Sequence, residues 1–194
     1  METLSKLFGS EAKVKIMRLF LFNPEHLFSF KEIMQRVKSS SSKARKEILM
    51  MEKIGLVKRR ARGPKKSRGP GFVLNSQFTY ILPLQNFLIN LEIFQPKEII
   101  RKVTRLGSIK LIIVSGVFIQ EPESRVDLLL VGDSVKRATL EKVIKSMESE
   151  IGKELKYAYF TTADFKYRLS MFDKLVRDIL DYPHRKILNK LGIL

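Results

Sequence analysis

Two short apolar runs constrain the fold most. Residues 109–114 read IKLIIV and residues 126–131 read VDLLLV. A strand that alternates polar and apolar side chains shows one face to water. A strand that is apolar at nearly every position is buried on both faces. The two runs are therefore expected to be central strands of a covered sheet, and the flanking sequence supplies the cover. Over 135–151, Leu140, Val143, Ile144, Met147 and Ile151 recur on one helical face. A third strand is expected over 155–160, with helices over 163–169 and 171–180. Asp181-Tyr182-Pro183 then breaks the chain before the tail. This half reads as a mixed α/β unit.

The first half has a different pattern. Ser10 is placed to cap a helix running to Phe22, with Val14, Ile16, Met17, Phe20 and Leu21 at helical spacing. Asn23-Pro24 ends it, because proline disfavours helix at the preceding residue. Ser29 and Glu32 form a capping-box pair for a second helix, with Ile33, Met34 and Val37 inward. After the polar break Ser39–Ser42, a third helix is predicted from Ser41 to Ile54, stopped by Gly55. Its inward residues are Ala44, Ile48, Met51 and Ile54. Residues 56–60 and 72–75 read as two strands around a Gly/Pro-rich loop, which is a long β-hairpin. Helices over 84–94 and 97–106 connect the halves.

Charge separates the halves further. The chain carries +17, and residues 1–76 hold 18 Lys/Arg against 6 Asp/Glu, a net of +12. No acidic residue occurs from Lys53 to Leu91. Such an excess favours a polyanionic partner. On the third helix, the face opposite the core stripe carries Ser41, Ser42, Lys43, Arg45 and Lys46. Its N-terminal end is where a major-groove helix meets base edges, and an arginine there reads guanine bidentately. The hairpin loop holds seven basic residues in eleven: Lys58, Arg59, Arg60, Arg62, Lys65, Lys66 and Arg68. A basic loop of this kind tracks phosphates or enters a minor groove.

The stretch SSSSKARKEILMMEKIGLVKRR resembles the recognition helix and wing start of bacterial and archaeal winged helix-turn-helix regulators, over roughly residues 8–76. The resemblance implies a transcriptional regulator that binds double-stranded DNA. Such proteins commonly act as dimers, because two half-sites multiply affinity. The apolar segment Leu84–Phe94 is the expected homodimer interface.

The stretch IKLIIVSGVFIQEPESRVDLLLVGD resembles a degenerate nucleotidyltransferase motif of the DNA polymerase beta-like enzymes, within residues 105–194. That motif has a Gly-Ser turn for the triphosphate and an Asp-x-Asp pair on the next strand. A third carboxylate completes a two-metal site. Here Gly116 stands for the turn glycine and Val117 for the serine. Arg125 stands where the first aspartate belongs, and Asp127 matches the second. Residues 156–160 carry no acid. The resemblance implies the fold and not the activity, so no enzyme, no cofactor and no metal are expected. Asp127 reads as structural, paired with Arg125 or capping a turn. Gly116, Arg125 and Asp127 remain a candidate pocket for a small anionic ligand.

The expected architecture is α+β. Residues 1–80 form a winged helix-turn-helix domain, 81–106 a helical connector and 107–194 a nucleotidyltransferase-like domain with a mixed sheet. The alternative function is an antitoxin-like or RNA- or partner-binding module on a catalytically dead fold. Tyr157, Tyr159, Phe165, Tyr167 and Phe172 alternate at strand and helix periods, which assigns them to core packing rather than RNA stacking. Cysteine is absent, which excludes disulfides, thiolate metal sites and cysteine nucleophiles. His26 and His184 have no ligand-spaced partner. No signal-peptide core or membrane-length apolar run is present. The expected location is the cytoplasm, on the nucleoid.

Overall fold

The computed structural model describes residues 2–62, 69–89, 94–121 and 123–192. The chain is an α+β protein with two small sheets. It divides into two compact units, residues 1–91 with 146–153 and residues 92–145 with 154–194.

Unit 1 begins with α1 (Glu2–Phe8) and α2 (Glu11–Phe22). β1 (Phe28–Ser29), α3 (Phe30–Val37) and α4 (Ser41–Lys53) follow. β2 (Val57–Arg60), β3 (Gly71–Leu74) and α5 (Ile81–Leu88) complete it. The Ser10 side chain accepts the Lys13 N–H and starts α2 as expected. The Ser29–Glu32 capping box is formed in both directions. α2 is the hub, with Ile16, Leu19 and Phe20 buried against Phe28, Ile33, Ile48 and Met51. The strands pair antiparallel in the order β1-β3-β2. Arg18 is deeply buried. Arg18 Nε donates to the Leu88 carbonyl at 3.0 Å and Nη1 to the Glu150 carbonyl at 2.9 Å. Burial lowers its pKa to about 10, so it stays charged at neutral pH.

Unit 2 contains α6 (Pro96–Val103), β4 (Ser108–Val114), β5 (Leu128–Asp133) and α7 (Arg137–Ile151), whose residues from Ser146 belong to unit 1. β6 (Tyr157–Phe160), α8 (Thr162–Ser170), α9 (Lys174–Asp181) and β7 (Arg185–Asn189) complete it. The sheet order is β6-β5-β4-β7. β5 is parallel to β6 across the α7 connection, and β4 is antiparallel to β5 and β7. The two apolar runs occupy the two central strands. Leu111, Ile113, Leu129 and Val131 pack on Phe165, Val176 and Ile179 from α8 and α9. Ile112, Leu128 and Leu130, pointing the other way, are buried as well.

Several expectations change. α1 has no counterpart in the sequence reading. The helix expected over 84–94 is α5, Ile81–Leu88. Pro83 falls in its first turn, where a missing N–H breaks no bond. Residues 90–93 lie outside the described residues, and Phe94 is not helical. Ile54 caps α4 and is 52% exposed rather than inward. The tail pairs as β7, because β4 offers it an open edge. Of the five aromatics assigned to the core, Phe165 is buried, whereas Tyr157, Tyr167 and Phe172 are exposed.

Candidate nucleic-acid interface

α3 and α4 are joined by three residues. Lys38 adopts a left-handed conformation at φ 49°, which ends α3, and Ser39 and Ser40 lead into α4. Packing against α2 and α3 then sets the rotation of α4. Ala44, Glu47, Ile48 and Met51 are buried, and Glu47 pairs with Lys13 at 3.7 Å. Ser41, Ser42, Lys43, Arg45 and Lys46 are exposed on the other side. The geometry thus brings together on one helical surface the five residues singled out there. Arg45 is not a free arm. Its guanidinium lies 4.8 Å from the Phe30 ring centroid, a cation–π contact that holds it near the start of α3.

The hairpin residues divide by strand alternation. Arg59 stands opposite Phe72 in the β2–β3 register, on the same face as Val57 and Leu74. It lies 5.5 Å from the Phe72 ring and pairs with Glu52 at 2.7 Å. Lys58 and Arg60 point the other way and are exposed. Arg62 reaches Glu32 at 3.5 Å. The Glu32 carboxyl sits below its ordinary pKa, first through hydrogen bonds from the Ser29 side chain and backbone, with Arg62 adding to the effect. Lys65, Lys66 and Arg68 lie outside the described residues. Glu32 and Glu52 were not foreseen as part of this surface. Both carboxylates restrain arginines that a simple charge count treats as free.

A concavity of about 370 Å³ separates α4 from the hairpin. Phe30, Ile48, Leu49 and Phe72 contribute its apolar wall, and Lys31, Arg45, Arg59 and Arg62 its cations. A second, of about 480 Å³, lies beside the starts of α2 and α4, where Lys38, Lys43 and Lys46 face Glu11 and Glu47. Both therefore flank α4 with cations, which suits an extended polyanion more than a compact neutral ligand.

In unit 2, the Gly116 turn and Asp127 do meet. The Val117 N–H donates to Asp127 Oδ1 at 2.8 Å, and the Lys156 N–H donates to Oδ2 at 2.8 Å. Asp127 is 6% exposed. Gly116 has φ +54°, and a Cβ there would fall on Asp127 Oδ1. Arg125 does not pair with Asp127, as one of the two expected roles required. It pairs with Asp178 at 2.8 Å. Asp127 is thus a buried clamp between the β4–β5 connection and the start of β6, with both oxygens occupied. A second carboxylate overlooked in the sequence is Asp133, at the opposite end of β5. It accepts Lys110 Nζ at 2.8 Å, the Thr162 hydroxyl at 2.7 Å and the Thr162 N–H at 3.0 Å. Lys110 first, then Thr162, hold its carboxyl far below the usual aspartate range. Among the described residues, no three His, Cys, Asp or Glu side chains converge as a metal site. None of their helices is long and apolar enough to cross a membrane.

A scan against family models, a search of curated proteins and a search of solved structures find no match to this chain. The arrangement of side chains therefore has to carry the functional reading.

Proposed function

We propose that the chain is a sequence-specific double-stranded DNA-binding transcriptional regulator, with unit 1 acting as a winged helix-turn-helix. In this reading α4 enters the major groove and the β2–β3 hairpin lies on the backbone or in the minor groove. One observation carries it. The exposed face of α4 presents Ser41, Ser42, Lys43, Arg45 and Lys46 opposite its buried stripe, and a three-residue connection joins α4 to α3. Helix, strand, helix, helix and hairpin follow one another in the order such a domain needs. Lys58 and Arg60 supply phosphate contacts from the hairpin, and Ser41, Ser42, Lys43 and Lys46 supply them around Arg45.

Unit 2 is read as a nucleotidyltransferase-like domain without catalysis. The reading rests on the strand order around β4 and β5 and on Asp127, whose oxygens are committed to backbone N–H groups. A homodimer is part of the proposal, because Leu82 and Phe87 on α5 are exposed apolar side chains.

The test is fluorescence anisotropy with the duplex upstream of the chain's own gene, a scrambled duplex and a single-stranded RNA, each across a salt series. The proposal expects tight upstream-duplex binding that survives roughly 0.15–0.2 M salt, with the scrambled duplex far weaker. Equal, steeply salt-sensitive binding to all three would overturn it and favour the RNA- or partner-binding alternative.

A further inference from the structure

Leu49 is out of place on α4. Ser42, Arg45, Lys46, Leu49 and Lys53 recur at spacings of three and four residues, so they form one stripe along the helix. Leu49 stands in the middle of that stripe, away from Ala44, Ile48 and Met51, which already fill the core side. It is 47% exposed and lines the concavity between α4 and the hairpin beside Arg45 and Arg59. The core does not use it, and a lysine or glutamine would serve helix and solubility as well.

Resting on the duplex-DNA reading above, we propose that Leu49 reads a thymine through its 5-methyl group. That methyl is the one apolar feature on the major-groove edge of the four bases. Cytosine carries only a hydrogen at that ring position, and its neighbouring 4-amino group is a donor that leucine cannot pair. Leu49 lies four residues beyond Arg45, about 6 Å along the axis. Base pairs rise 3.4 Å apiece along each strand, so the thymine lies one or two pairs from the base that Arg45 meets. The leucine sits on a rigid helix whose rotation is set by its buried face, so the contact needs no loop to order.

The test uses the full chain. Duplexes are selected from a random-sequence pool, and each thymine of the enriched site is replaced singly by deoxyuridine, which removes only the methyl. At one thymine, deoxyuridine is expected to weaken wild-type binding roughly fourfold, which corresponds to about 0.8 kcal/mol for one buried methyl. Leu49→Met should keep that sensitivity. Leu49→Ala should lose it, binding thymine and deoxyuridine duplexes alike at the weaker level. Circular dichroism checks that both variants remain folded. If no deoxyuridine position distinguishes wild type from Leu49→Ala while a site is still enriched, the thymine contact is wrong and the DNA reading stands. If no sequence is enriched, both are overturned.

Discussion

The turn at Gly116 offers a direct measurement of what Asp127 does. Replacing Gly116 by alanine has two separable costs. At φ +54° an L side chain costs about 1–2 kcal/mol in the backbone. The new Cβ also falls on Asp127 Oδ1, so the carboxylate must leave the Val117 N–H, and a hydrogen bond to a charged group contributes about 1.5–3 kcal/mol. The expected destabilisation is therefore about 2.5–5 kcal/mol. In an Asp127→Ala background the carboxylate is already gone, and Gly116→Ala should cost only the backbone part. The two changes should thus be less than additive, with a coupling of about 1.5–3 kcal/mol. The chain has no tryptophan, so urea denaturation is followed by circular dichroism. Hydrogen exchange at the Val117 and Lys156 amides reports the local opening. If Gly116→Ala costs the same in both backgrounds, the carboxylate is not a turn clamp. Gly116, Arg125 and Asp127 would then return as a candidate pocket for a small anionic ligand.

Three further outcomes are expected. Arg45→Ala should relax base preference at one position by roughly 1–3 kcal/mol while leaving the salt slope nearly intact, and unchanged selectivity in a competition assay would mean that α4 does not read bases. Glu52→Gln releases Arg59 from its ion pair; it should tighten duplex binding at low salt and steepen the slope by about 1, and an unaltered slope would show that Arg59 reaches no phosphate. Asp133 is held below the usual aspartate value by Lys110 and Thr162. Its contribution is therefore present at pH values above the unfolded value near 3.9 and is lost as pH falls toward the folded one. Asp133→Asn should lower the melting temperature at pH 7 by a margin that narrows below about pH 4, whereas an equal margin at pH 3 would exclude this linkage.

Local rules reach far into this protein. Ser10, the Ser29–Glu32 box and Gly55 mark helix ends from neighbouring residues alone, because caps close hydrogen bonds within three or four positions. The stripe Ala44, Ile48 and Met51 set the inward face of α4, and with it the outward cations, since helical period is independent of the partner. The two apolar runs declared themselves central strands by the same reasoning, having no polar face to show.

Other features depended on groups distant in sequence. β7 exists because β4 has an edge to offer, and nothing within Arg185–Asn189 announces that edge. Arg59 and Arg62 lose part of their freedom to Glu52 and Glu32, which lie 7 and 30 residues away in the chain and become neighbours only when the hairpin folds against α3 and α4. The partner of Arg125 is Asp178 rather than the adjacent Asp127, and Asp127 serves backbone N–H groups 10 and 29 residues away. Sequence alone determined which residues carry charge and which way α2, α3 and α4 turn their apolar sides. Tertiary packing decided which charges stay free for a partner, because an ion pair or a buried carboxylate is defined by distances that no local period encodes.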